Sequence, residues 1–189
     1  MNKKSLFISL LFVATIGVSA QKLSGDLSPL KGQKEVNVVI NFSGMLVNNQ
    51  PEESHIEFFT KNKTEEEKEQ FLSDWNVKMR EDAYVKLVAE VNKTVAQKGF
   101  SVGDFPNAKY TIYVQVININ PGTPMVTNSI MKADVNFVKT GETAPFASLK
   151  YNKFIGRNTS WVSNTVARIA MLFGYLGENI GKTTSKNLK

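Results

Sequence analysis

The chain has no cysteine, a single histidine (His55) and three arginines (Arg80, Arg157 and Arg168) among its 189 residues. Each shortage excludes a class of chemistry. Without cysteine there is no disulfide, no thiolate metal site and no thiol nucleophile. A bacterial lipid anchor also needs a cysteine just after the leader, so that form of attachment is excluded. Zinc sites usually draw on several histidine or cysteine ligands, and one histidine cannot supply them. Ser54 beside His55 is no catalytic pair by adjacency, because a triad is assembled in space. No serine sits in a nucleophile-elbow pattern. With so few arginines and scattered lysines, a nucleic-acid reader is not expected. The formal net charge is +6, and removing Lys3 and Lys4 leaves +4, a mild excess that reads as solvated surface.

What is present begins with the first twenty residues. Lys3 and Lys4 precede an apolar run over 6–18, broken only by Ser9, Thr15 and Gly17. Val18-Ser19-Ala20 then offers small side chains for cleavage. This is the pattern of a secretory signal, with a mature start expected at Gln21. The run is short of the roughly 20 residues that span a bilayer. An exported, cysteine-free chain fits a bacterial source, in the periplasm or outside the cell, with a core that holds without staples. The N-x-S/T triplets at Asn41, Asn62, Asn92 and Asn158 are chance in that setting.

Periodicity divides the remainder. Residues 21–34 read as an extended lead-in, 35–182 as a single α+β domain and 183–189 as a polar, frayed tail. Val36, Val38, Ile40 and Phe42 alternate as a strand. Residues 55–60 suggest a short second one, with Ile56 and Phe58 on one face. Thr64-Glu65-Glu66-Glu67 has the form of a capping box. It opens a helix over 64–98 whose apolar face carries Leu72, Trp75, Met79, Ala83, Leu87, Val91 and Val95, with a break conceivable near Asn76. Gly99 supplies its left-handed cap. Three strands follow: 110–119, apolar on both sides and therefore central or covered; 131–137, with one wet face; and 146–155. Turns at Asn120-Pro121-Gly122 and at Lys139-Thr140-Gly141-Glu142 separate them. Val162, Val166, Ile169, Phe173, Leu176 and Ile180 mark a last helix from near Ser160. Gly174, Gly177 and Gly181 within it imply close approach to a sheet or another helix. The expected fold is a mixed, mostly antiparallel sheet of about four strands against two helices, in the order β-α-β-β-β-α.

No motif carries catalysis. Gly177-Glu178-Asn179-Ile180-Gly181-Lys182-Thr183 has three residues between its glycines where a phosphate loop needs four, and it ends a helix where a phosphate loop begins one. Glu65, Glu66 and Glu67 are explained by capping; Asp74, Glu81 and Asp82 fall on the wet face of the same helix. Trp75 and Trp161 read as buried anchors before ligand platforms. No catalytic, metal or cofactor residue is assigned.

Three segments have the cadence of a known group: Lys98-Gly99-Phe100; Ala108-Lys109-Tyr110-Thr111-Ile112-Tyr113-Val114; and Ala133-Asp134-Val135-Asn136-Phe137-Val138-Lys139-Thr140-Gly141-Glu142. Together with Val166-Ala167-Arg168-Ile169-Ala170 opening the closing helix, they resemble the periplasmic α/β domains of the curli-secretion-pore and TolB amino-terminal families. The curli pore's lipobox cysteine is missing here, and no membrane-barrel hairpin is evident. The resemblance implies a non-catalytic envelope module that binds a protein partner or its own copies. The exposed side of the last helix, with Asn164, Arg168, Met171 and Tyr175, is the expected contact face. The alternatives are a small-molecule or lipid carrier with an apolar pocket, and a hydrolase built on scattered carboxylates.

Overall fold

The computed structural model describes residues 22–188; the expected leader, 1–20, lies outside them. The α+β class holds, but the sheet has eight strands, not four, and a helix over Glu52–Thr60 joins the two expected, so the order β-α-β-β-β-α is too simple. Four are long enough to show alternation: β2 (Glu35–Asn41), β6 (Tyr110–Asn120), β7 (Ile130–Lys139) and β8 (Pro145–Ile155). The others, β1 (Ser24–Gly25), β3 (Leu46–Val47), β4 (Gln50–Pro51) and β5 (Ser101–Gly103), are two or three residues each and leave no period to read. The order is β1-β8-β7-β6-β2-β5, with β3 beside β6 and β4 beside β3. β2 runs parallel to both β5 and β6, whereas β6, β7 and β8 form an antiparallel meander.

β6 is central, as its two apolar faces required, between β2 and β7. Ile112, Val114 and Val116 point into the core. A register shift between Val116 and Asn118 then turns Ile119 inward as well, away from the face it would share with Tyr113 and Ile117 by simple alternation. The lead-in is not merely extended: Leu27 precedes and Leu30 ends a 3-10 turn (Ser28–Leu30), and each is 1% exposed.

The segment expected as a strand at 55–60 is α1 (Glu52–Thr60). Asn48 and Asn49 both take positive φ between β3 and β4, the turn that matches hairpin twist and that asparagine tolerates. Pro51 then leads into Glu52 and Glu53, acids suited to a helix start. Six residues with two apolar positions on one face could not separate the two periods. No residue of α1 is buried.

The long helix begins at the expected capping box: the Glu67 N–H donates to Thr64 Oγ1, and the Thr64 N–H to Glu67 Oε2. It runs as α2 (Glu65–Ser73), a π-helical turn (Asp74–Lys78) and α3 (Met79–Val95), and ends at Gly99 with φ of 84°. The break near Asn76 is thus a π turn. Phe71, Trp75, Met79, Ala83, Leu87, Val91 and Val95 recur every four residues. A spacing of four drifts about 40° per step round a helix of 3.6 residues per turn, and one wider turn takes part of that drift back.

α4 (Thr165–Asn187) starts later than expected, after a 3-10 turn (Thr159–Trp161), with Asn164 Oδ1 capping the Ala167 N–H at 2.9 Å. It also runs on through the expected frayed tail. Thr184 on its inner face and Leu188 at its C-cap are buried, and Lys98 Nζ donates to the Leu188 carbonyl. α4 lies beside α3 in the same direction: Gly174 faces Lys86 and Glu90, Gly177 faces Leu87, and Gly181 faces Val91 and Thr94. The three glycines therefore serve a helix seam. Ile169, Phe173, Leu176 and Ile180 join the core with the inner faces of β6, β7 and β8.

Candidate functional site

The four residues expected on one exposed face of the last helix do not share one. Asn164 is exposed and acts as the helix cap. Met171 and Tyr175 are half-buried on the flank of α4, where the Arg157 guanidinium lies over the Tyr175 ring at 4.9 Å. Arg168 is 3% exposed, the reverse of the expectation. Arg168 stands in the first turn of α4, where the loops before β7 and before the helix close over it, whereas Lys182 and Lys186 further along the same helix are exposed.

Arg168 holds an end of the molecule together. Its Nε donates to Pro121 O (3.0 Å), Nη1 to Val162 O (3.0 Å) and Ser163 O (2.9 Å), and Nη2 to Gly122 O (3.4 Å) and Thr165 Oγ1 (3.1 Å). Five N–H donors in a planar fork match acceptors on two separate loops. One loop joins β6 to β7 (residues 121–129); the other joins β8 to α4 (156–164). A second layer of bonds reinforces them. Ser129 N–H donates to Thr159 Oγ1 (2.6 Å), Ser129 Oγ to Pro121 O (2.7 Å), Ser160 N–H to Asn128 Oδ1 (3.0 Å) and Met125 N–H to Ser160 O (2.7 Å). Ser129, Thr159 and Arg168 are all buried. A glycine is required at 122, where φ is 72° and a Cβ would meet Thr127 O at 2.4 Å.

Upon this bonded base stand three apolar side chains in water. Met125 is 70% exposed, Val126 74% and Trp161 71%. Trp161 was expected as a buried anchor. It lies in the 3-10 turn ahead of α4, outside the helical stripe whose period suggested burial. Arg157 is the sole charged residue in 121–129 and 156–164. The surface is thus rigid beneath, apolar at its tip and nearly free of charge. The sequence signal for it was weak: two loops rich in Pro, Gly, Asn, Ser and Thr that each carry large apolar residues.

A second aromatic group lies beside α4's start. Phe59 stacks on Phe71 (5.9 Å between centroids) and Phe71 on Trp75 (6.2 Å), and His55 sits 4.5 Å from Trp75 and 4.7 Å from Phe59. Glu52 fastens α1 to this stack, accepting from Trp75 Nε1 at 2.7 Å and from Arg80 Nη2 at 2.9 Å. Trp75 is buried, as expected for an anchor. Burial lowers the His55 pKa from its ordinary 6.5, opposed by the Glu52 charge. The neutral ring is the form that fits among aromatics. A depressed histidine favours the folded state above the unfolded pKa, and that contribution falls away as pH drops below 6.5 through the lowered value. Acid should therefore loosen α1. Trp75 emission is expected to shift red on acidification in the wild type and to stay flat in His55→Phe.

Among the described residues no group of three or more His, Asp or Glu stands close enough to hold a metal ion. No helix among them is long and apolar enough to cross a membrane. No protein-family model and no curated protein matches the chain. Among solved structures, the chain is similar to the PelC dodecamer from Paraburkholderia phytofirmans, at 12% identity, covering 85% of this chain and 96% of that one, with a TM-score of 0.41. It is similar also to a single-substitution variant of the same dodecamer, at 13% identity, 85% and 95% coverage and a TM-score of 0.40. A likeness at this level says nothing of what this chain binds.

Proposed function

We propose that the chain is exported and serves in the bacterial envelope as a non-catalytic interaction module. Its docking end is the loop pair that carries Met125, Val126 and Trp161. One observation supports this above the rest: three large apolar side chains are held exposed on a buried hydrogen-bond network centred on Arg168. A soluble protein gains nothing for itself from leaving a tryptophan in water. Burying each such side chain is worth roughly 1.5–3 kcal/mol, and a platform that is already rigid loses little entropy on binding. Tryptophan is also among the residues most enriched at the anchoring points of protein contacts. The near absence of charge suits a neutral, apolar recess on the partner. The leader pattern and the resemblance to periplasmic domains support the envelope as the place.

The test is capture from native envelope extracts with Trp161→Ser and Met125→Ser variants. Both are expected to unfold as the wild type does, because neither side chain is buried. Both are expected to lose a partner that Tyr175→Ala retains. Retention of every captured protein by the Trp161→Ser/Met125→Ser double variant would remove the docking end from consideration. A Trp161 emission shift with phosphatidylcholine vesicles alone would replace the protein partner with a lipid surface.

A further inference from the structure

Charge is unevenly spread along the chain. Residues 52–74 hold eight carboxylates against three lysines, while the rest of the described chain holds nine against seventeen lysines and arginines. The acidic stretch is α1, α2 and the start of the π turn, and neither α1 nor α2 has a buried residue. At about 100° per residue α1 divides into two faces. Glu52, His55, Ile56 and Phe59 turn toward the body; Glu53, Ser54, Glu57, Phe58 and Lys61 face water. Phe58 is 63% exposed, with Lys61 Nζ 5.1 Å over its ring. Neither Glu53 nor Glu57 has an ion pair among the described residues. The outer face of α1 thus presents one aromatic side chain beside two unpaired carboxylates.

A recess of the opposite character lies on the flank of α4. Between that helix and the end of β8 is a hollow of about 240 Å³, lined by Phe154, Ile155 and Tyr175 and flanked by Arg157 and Lys182. A cavity of about 150 Å³ already admits a benzene ring. Arg157 and Lys182 share one carboxylate, that of Glu178. Lys153, which precedes Phe154 on β8, has no ion pair among the described residues. Here cation is in excess. Phe58 cannot fill the hollow of its own copy. Glu52 ties α1 to Trp75 and Arg80, and Phe59 shares a hollow with Thr165. Tyr175 and Lys182 stand ten and seventeen residues beyond Thr165, about 15 and 25 Å along the helix.

We propose that the hollow beside β8 receives α1 of a second copy of this chain. Phe58 seats on Ile155 and Tyr175, the Glu53 and Glu57 carboxylates face Arg157 and Lys182, and the Lys61 ammonium faces Glu178. A second copy is the occupant because one chain carries both halves, an acid-rimmed aromatic and a cation-rimmed recess, on surfaces that cannot meet within it. Such a contact joins two different patches, so it closes into a ring if the rotation between copies allows and otherwise grows as a filament. Met125, Val126 and Trp161 take no part in it, so this surface and the docking end can fail separately.

Sedimentation velocity of the purified protein over a range of concentrations is expected to show reversible assembly that salt weakens. Phe58→Ser should weaken it about ten- to a hundredfold, the worth of one buried aromatic side chain. Glu53→Lys/Glu57→Lys and Arg157→Glu/Lys182→Glu each set like charges together and should each weaken it about tenfold or more. None of these five side chains is buried, so circular dichroism should stay that of the wild type. Mixed in equal amounts, the two double variants should assemble again, because the reversed α1 of one then meets the reversed hollow of the other. A single chain carrying all four substitutions should do the same. Trp161→Ser should sediment as the wild type does. One slow-sedimenting species for the wild type at every concentration would overturn the proposal. So would assembly that survives Phe58→Ser, or reversed pairs that recover neither in the mixture nor in the fourfold chain. Assembly lost in Trp161→Ser and kept in Phe58→Ser would place the contact between copies at the docking end instead.

Discussion

Replacing Arg168 with methionine is expected to cost about 3 kcal/mol of folding stability or more, among the largest effects open to a single side chain here. Methionine fills much of the same space, so the loss is not chiefly a cavity. The cost comes from the acceptors left behind. Pro121, Gly122, Val162 and Ser163 each present a carbonyl to the guanidinium, and Thr165 its hydroxyl. A buried acceptor stripped of its donor loses about 1–3 kcal/mol; here Pro121 O keeps the Ser129 hydroxyl, and the four acceptors that lose every arginine N–H are partly buried, so each falls at the low end of that range. Relaxation of the loops and entry of water would recover part of the sum. Arg168→Lys should recover little, because one ammonium with three donors cannot serve two loops at once. Urea unfolding measures the difference, and partner capture should fall with it, since Met125 and Trp161 lose their common base. A midpoint for Arg168→Met within about 0.5 kcal/mol of wild type would mean that the loops are held by the Ser129, Thr159 and Asn128 bonds alone.

The second large effect sets two glycines of one helix against each other. At Gly177 a Cβ would stand 2.4 Å from Leu87 O and 3.0 Å from Leu87 Cα, both backbone atoms of α3. Backbone cannot rotate aside, so Gly177→Ala must push the helices apart. Overpacking of that kind costs about 1–3 kcal/mol, against a gain of about 1 kcal/mol in helix propensity. A net loss of about 1 kcal/mol is expected, rising to about 2 kcal/mol if the seam opens along its length. At Gly174 the nearest atoms to a Cβ are Glu90 Cγ at 3.7 Å and Lys86 Cβ at 3.8 Å, ordinary contacts. Gly174→Ala should therefore keep the propensity gain and stabilise by about 0.5–1 kcal/mol. Thermal melts of the two variants should move in opposite directions. Equal shifts would remove the seam as the reason for these glycines.

Long, periodic elements were legible in the residues, and short ones were not. Val36, Val38 and Ile40, the Thr64–Glu67 box and the stripe from Val166 to Ile180 each repeat often enough to declare strand or helix. β1, β3, β4 and β5 exist because neighbours pair with them, which no local pattern records. α1 was misread because His55, Phe59 and Glu52 are fixed by Phe71, Trp75 and Arg80, partners 12 to 28 positions away along the chain. The candidate docking end suffered the same limit. Periodicity finds what faces a core; it cannot tell that Arg168 would be enclosed by two loops, nor that a tryptophan one turn ahead of the helix would be left outside.

The chain carries two tryptophans, and they occupy opposite worlds: Trp75 is 2% exposed, Trp161 71%. Acrylamide or iodide should darken the second and spare the first. The molecule thus comes with two independent optical reporters. One watches the seating of α1 against Trp75, the other the occupancy of the loop tip, and selective quenching separates their light without any added label.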